Sequence, residues 1–247
     1  MAQLEDLLQQ CTVQISIPGQ LGWGTGFFVA PGFILTCAHV VKALNVGAAA
    51  RIRWQQQADF ATAELLQYAP QLDLALLQFT STNADLPCVY LDEGLQARHE
   101  LYFFGYPDQD FDNGCPVTGN CEGFTGDVPP LIKFKQAQVR PGMSGSALLN
   151  RHTGKVCGMV KFTRDRSIDL GGGAIPTRVI LEQFPELREL QQEFHQSDRR
   201  WHDLITKQSE IDFQPYLTEI ATTYENWWQL YTLTDVERQQ QNSREAA

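Results

Sequence analysis

Twelve short apolar runs in two groups of six predict a mainly β protein: two six-stranded antiparallel β-barrels followed by a C-terminal α-helical extension. Three observations carry that expectation. The runs recur at regular spacing between Gly, Pro, Asn and Asp. They show almost no helical periodicity. A break around "NADLPCVYLDEGLQARHE" divides them into equal groups, which implies two closed sheets with a cleft between them.

The first group reads "CTVQISI", "GTGFFVA", "GFILTCAHV", "RIRWQ", "ATAELLQY" and "DLALLQF", and is expected to span about residues 11–92. The second reads "ELYFFGY", "CPVTGNCEGF", "LIKFKQ", "SALLN", "KVCGMVKF" and "GGGAIP", over about residues 99–176. From "TRVILEQF" onward the pattern changes. Leu187, Leu190, Phe194, Trp201, Leu204 and Ile205 recur at helical steps. Phe213, Tyr216, Leu217, Ile220, Tyr224, Trp227, Trp228 and Tyr231 form a second apolar stripe. The stretch "KQSEID" between them reads as the turn of a helical hairpin. "TDVE" (Thr234 to Glu237) has capping-box spacing, but polar "RQQQNSREAA" follows instead of a helix. The expected division is therefore a barrel domain over 1–184 and a hairpin extension, or linker to a further domain, over 185–247.

The chain has 247 residues, of which 43% are hydrophobic, enough for a substantial core. Its net charge is −10 with no Lys/Arg run, which argues against nucleic-acid or anionic-membrane partners. "MAQLEDLLQQ" lacks a basic leader, and no apolar run approaches the ~20 residues of a membrane span, so a cytoplasmic location is expected. Cys11, Cys37, Cys88, Cys115, Cys121 and Cys157 are expected to be reduced, with Cys115 and Cys121 the pair that stands as the exception. No Cys/His ligand spacing is present, so neither a metal nor another cofactor is expected.

Three residues with chemistry stand out. His39 ends the apolar run of "TCAHVV", Asp73 precedes the buried run of "LDLALLQF", and Ser144 lies between glycines in "GMSGS". Each alone reads as ordinary: a core histidine, a turn acid, a turn serine. Together they are a base, an acid that can orient it and a hydroxyl nucleophile. Two fall in the first strand group and one in the second.

In this order, with "GWGTGFFV", "LTCAHVV", "DLALLQF", "YFFGYP", "GMSGSALLN", "GKVCGMV" and "GGGAIP", the sequence resembles the trypsin/chymotrypsin-like serine peptidases over about residues 11–180. It has the features of the compact bacterial branch that includes HtrA-type and glutamyl-endopeptidase-like enzymes. The resemblance implies a serine endopeptidase of protein or peptide substrates, working through an acyl-enzyme with His39, Asp73 and Ser144 catalytic. It makes the backbone N–H groups of Gly142 and Ser144 the oxyanion donors. It puts Gln138, Val139 and Arg140 at the specificity pocket, and Lys161, Phe162 and Thr163 on the strand that pairs with substrate. Gln138 supplies no carboxylate, which favours a neutral P1 residue, although Asp165 or Asp169 could restore a basic preference. Met143 stands where digestive members carry the Asp that pairs with a newly cut N-terminus, so activation by that cleavage is not expected. The acidic "DQDFDNG" (Asp108 to Gly114) reads as a solvated loop. The alternative function is a catalytically inactive binding or adaptor module on the same fold.

The segment "YLTEIATTYENWWQLYTLTDVE" resembles the lead-in to a NACHT/STAND-type ATPase. That implies a protease effector of a bacterial defence or cell-death sensor, with a C-terminal regulatory domain or a partner on the helical tail. The competing expectation is a hairpin packed on the back of the second barrel, burying Trp227, Trp228 and Tyr231.

Overall fold

A computed structural model describes residues 4–55, 60–80, 85–107, 111, 113–163, 171–208 and 217–228, with the backbone alone described at 162 and 163. All twelve runs are strands. β1 (Thr12–Ser16), β2 (Gly24–Ala30), β3 (Phe33–Cys37), β4 (Ala49–Trp54), β5 (Ala61–Ala69) and β6 (Leu74–Gln78) close in the order β1-β2-β3-β6-β5-β4. β7 (Glu100–Gly105), β8 (Cys115–Phe124), β9 (Ile132–Lys135), β10 (Ala147–Asn150), β11 (Lys155–Thr163) and β12 (Gly172–Pro176) close in the order β10-β11-β12-β9-β8-β7. Every neighbouring pair is antiparallel, as the sequence predicts.

Strand alternation fills the barrels. On β4, Ala50, Ile52 and Trp54 are buried while Arg51 is exposed between them. They join Val13, Ile15, Phe28, Ile34, Leu65 and Leu77 in the first core, where Phe28 and Phe79 meet Trp54 edge-on at 5.6 and 5.3 Å. The second core holds Leu101, Phe103, Ile132, Phe134, Leu148 and Val160. Each such large side chain contributes roughly 1.5–3 kcal/mol by leaving water. β2 is buried on both faces because the inter-barrel connector covers its outside, with Val89 N–H donating to the Phe28 carbonyl at 2.9 Å.

The chain begins with a helix that the strand reading passes over. α1 (Leu4–Cys11) buries Leu4, Leu7, Leu8 and Cys11 against β7 and β2, so Cys11 closes a helix instead of opening a strand. Eight residues are too short a window for periodicity to declare itself, and tertiary packing supplies the stability. After β12, α2 (Thr177–Gln183) and α3 (Glu186–Ser197) follow, then helical residues 200–208. α3 packs on β2 of the first barrel. Gln191 donates to the carbonyls of Val89 (2.8 Å) and Val29 and accepts from Leu91 N–H at 2.9 Å. Trp201, 1% exposed, donates to the Cys88 carbonyl at 2.7 Å. The first compact unit extends to Leu204, and the expected boundary at 184/185 lies inside it.

The second unit begins at Ile205 and contains helical residues 217–228. There Trp227 and Trp228 are 57% and 51% exposed, on the same stripe as exposed Leu217, Ile220 and Tyr224. Lys207 and Gln208 are still helical; the rest of "KQSEID", Phe213, Tyr216, Tyr231 and "TDVE" lie outside the described residues. No described helix is long and apolar enough to cross a membrane. All six cysteines are free. Cys115 and Cys121 lie on one strand, so roughly 20 Å of extended backbone separates them, far beyond disulfide reach.

Candidate active site

β3 ends at Cys37, and a single 3-10 turn over Ala38–Val40 carries His39 to the mouth of the inter-barrel cleft. Asp73 reaches it from the turn before β6. The Ala38 N–H donates to the Asp73 carbonyl oxygen at 3.1 Å, and the His39 N–H donates to Asp73 Oδ1 at 3.0 Å. The imidazole Nδ1 lies 2.9 Å from each carboxylate oxygen. With Nδ1 donating, Nε2 is the ring's free acceptor. Asp73, 9% exposed, adopts a left-handed φ of +58°. That conformation is uncommon outside glycine and is held here by the Asp73 N–H donating to the Pro70 carbonyl at 3.1 Å. The carboxylate is buried, and the ring and backbone amide of His39 supply the partners that burial demands.

Ser144 comes from the second barrel, on the turn before β10. It lines a cleft of about 380 Å³ with His39, Gly142, Trp23, Leu21 and Lys42. Its Oγ donates to the Lys161 carbonyl at 3.0 Å, and no hydrogen bond joins it to His39 among the described residues. The preceding turn is closed by Met143 N–H donating to the Arg140 carbonyl at 3.1 Å, with Gly142 at a φ of +91° that a side chain would strain. The Gly142 and Ser144 N–H groups engage no acceptor among the described residues. The turn's carbonyls are engaged. Thr25 Oγ1 donates to that of Gly142 at 2.8 Å, Ser146 Oγ to that of Met143 at 2.8 Å, and Thr25 N–H to that of Ser144 at 3.0 Å. Met143 is fully buried in the second core, so apolar packing, not an ion pair, anchors this turn.

The residues expected at the specificity pocket are less well gathered. Val139 is 2% exposed and packs in the second core, because strand-like alternation turns it away from solvent. Gln138 is exposed and accepts from Arg140 Nη2 at 3.3 Å, while the Arg140 guanidinium lies over the Phe111 ring at 4.9 Å. Lys161 sits at an irregularity in the β11–β12 pairing, and the backbones of Phe162 and Thr163 pair with Gly173 and Gly172. Asp165 and Asp169, and Asp108 to Asp110 with Asp112 in the acidic loop, lie outside the described residues. Cys37, which the sequence reading left as a core thiol, has its Sγ within 4.8 Å of donor atoms of His39 and Asp73. Burial first, and the Asp73 charge second, push its thiol well above the ordinary range. It donates to the Val160 carbonyl at 3.4 Å, while the ring and carboxylate engage each other, so these atoms already have partners of their own. Sequence reasoning missed Thr25: the block "GWGTGFFV" contains it, but nothing in one dimension pairs it with residue 142.

Residues 24–159, more than half of the chain, match the family model described as a trypsin-like peptidase domain. A comparison with curated protein sequences finds no match. Among solved structures, the chain is similar to the Rv3671c protease of M. tuberculosis in its active form (19% identity, 74% of this chain and 83% of that one, TM-score 0.60). It is similar to the serine endoprotease from Yersinia pestis (20% identity, 76% and 67%, TM-score 0.60). It is also similar to the HtrA-type protease AlgW with a tripeptide (20% identity, TM-score 0.62), where it covers 72% of this chain and 60% of that one. At such identities these likenesses speak to the two-barrel fold.

Proposed function

The chain belongs to the trypsin-like peptidase family, and from that premise we propose that it is a serine endopeptidase using His39, Asp73 and Ser144. The observation that carries this reading is the His39–Asp73 pair, with Nδ1 2.9 Å from both carboxylate oxygens, in the cleft that Ser144 enters from the other barrel. The Ser144 hydroxyl rests on the Lys161 carbonyl. A substrate N–H that takes this carbonyl releases the hydroxyl to rotate towards His39 Nε2. The Oγ then bonds to the scissile carbonyl carbon as its proton passes to Nε2. The C–N bond breaks as that proton goes to the leaving amine, and water hydrolyses the acyl-enzyme by the reverse relay. Asp73 holds the ring's tautomer and stabilises its charged form. The Gly142 and Ser144 N–H groups meet the developing oxyanion.

Two features extend the reading. The buried Met143 side chain needs no new N-terminal cation, which supports an enzyme that N-terminal cleavage does not activate. Gln138, bonded to Arg140, supplies no carboxylate of its own, which supports a neutral P1 residue. The exposed apolar stripe of Leu217, Ile220, Tyr224, Trp227 and Trp228 is a surface that a regulatory ATPase domain or partner would cover, and on that reading the chain is a cytoplasmic effector of a bacterial defence or cell-death sensor.

A fluorophosphonate probe tests the chemistry. It should label Ser144 covalently and lose the label in Ser144→Ala, with peptide hydrolysis lost alongside. A chain that neither labels nor cleaves any member of a peptide library is instead a binding module on the same fold. The same library reads out P1.

A further inference from the structure

We propose that Thr25 is a positioning residue that holds the oxyanion turn from the opposite barrel, an inference that rests on reading Gly142 and Ser144 as the oxyanion donors. Thr25 lies on β2, in the first barrel, and is fully buried. Its hydroxyl is used in both directions across the seam. It accepts from the Tyr106 N–H at 2.9 Å and donates to the Gly142 carbonyl at 2.8 Å. Its main chain adds a third link, the N–H donating to the Ser144 carbonyl at 3.0 Å. Its own carbonyl is fixed in turn by the Thr36 hydroxyl at 2.6 Å.

The consequence follows from peptide planarity. Each N–H is trans to the carbonyl before it, so the Met143 carbonyl, drawn towards Ser146, sets the direction of the Ser144 N–H, while Thr25 fixes the flanking peptides by drawing the Gly142 and Ser144 carbonyls towards β2. The Gly142 N–H belongs to the central peptide of the Arg140–Met143 turn, and the positive φ of Gly142 fixes its direction. Without the Thr25 hydroxyl, the Gly142 carbonyl loses its buried donor. The turn is then free to invert its central peptide, which carries Gly142 to negative φ and aims its N–H away from the oxyanion. Valine has threonine's shape without the hydroxyl; serine keeps the hydroxyl with less bulk. The cleft thus depends on one hydroxyl that contacts neither substrate nor the reacting atoms.

Three substitutions decide it: Thr25→Val, Thr25→Ser and Thr25→Cys, compared by steady-state kinetics on a cleaved peptide and by crystal structures. Thr25→Val should lower kcat about 10–100-fold, short of the ~10²–10³ for outright loss of a donor. KM should stay within about twofold, and the crystal structure should show Gly142 at negative φ. Thr25→Ser should keep kcat within about threefold of the parent, and Thr25→Cys, a weak donor, should fall between them. A Thr25→Val kcat within threefold of the parent, an equal loss in Thr25→Ser, or an unchanged Gly142 φ in Thr25→Val overturns the proposal. Should Thr25→Val not fold, equal kcat in Thr25→Cys and Thr25→Ser overturns it. A parent chain inert to peptides and fluorophosphonate overturns the peptidase reading instead. The Gly142 φ in the Thr25→Val crystal structure then still decides the role of Thr25.

Discussion

Gly145 lies so close to the Thr25 carbonyl oxygen that a β-carbon on it would sit 1.9 Å from that oxygen. The two barrels therefore meet backbone to backbone beside Ser144, and φ at Gly145 is +95°. Gly145→Ala is expected to destabilise the protein by about 3 kcal/mol or more, combining overpacking with left-handed strain. Urea unfolding would read it, and a loss under 1 kcal/mol would mean that the seam can part.

Asp73→Asn keeps the shape of the turn but lets the side chain present an amide to Nδ1, which favours the wrong imidazole tautomer. Peptide hydrolysis should fall about 10⁴-fold while the fold is retained, as far-UV circular dichroism would show. A loss under tenfold would remove Asp73 from the proposed mechanism.

Gln191 is 6% exposed and satisfies three backbone groups, on Val29, Val89 and Leu91. Gln191→Leu leaves the Val29 carbonyl and the Leu91 N–H without that partner, while the Val89 carbonyl keeps His195. It should cost about 2–6 kcal/mol, since each orphaned buried group costs roughly 1–3. By the same logic a chain ending at Leu204 should unfold with nearly the parent free energy. One ending at Phe184 loses both Gln191 and Trp201 and should be markedly less stable; denaturant midpoints separate the two.

His195 stacks on Tyr90 at 4.3 Å, its Nε2 donates to the Val89 carbonyl at 3.0 Å, and its buried Nδ1 has no partner among the described residues. Burial is the main cause holding its pKa below the ordinary 6.5; Lys155 and Arg200 add to the depression, while the Val89 bond and Asp198 oppose it. The unfolded chain therefore takes up this proton first as pH falls. The stabilising contribution is fully present above 6.5 and is lost as pH drops towards the depressed folded value. Unfolding free energy should decline on going from pH 7.5 to 5.5, and less steeply in His195→Gln. Equal slopes would mean that other groups carry the effect.

The strand pattern was legible because alternation and turn residues are local: "RIRWQ" and "ATAELLQY" state their own inward faces. α1 was not legible, because eight residues give periodicity little room and the helix depends on β7 and β2 beneath it. The cover over Val139 was not legible for a related reason. A side chain's apolarity says that it wants cover, not which surface provides it.

The amino-acid sequence by itself determined the two-barrel fold and singled out His39, Asp73 and Ser144 as candidates, since strand periodicity and residue chemistry are written along one dimension. Only the tertiary structure decided that His39 Nδ1 meets both oxygens of Asp73, that Ser144 rests on the Lys161 carbonyl, and that Thr25 grips Gly142 from the other barrel. Those contacts join residues far apart in the chain, and hydrogen bonds are set by distances and angles that exist only once both barrels have closed.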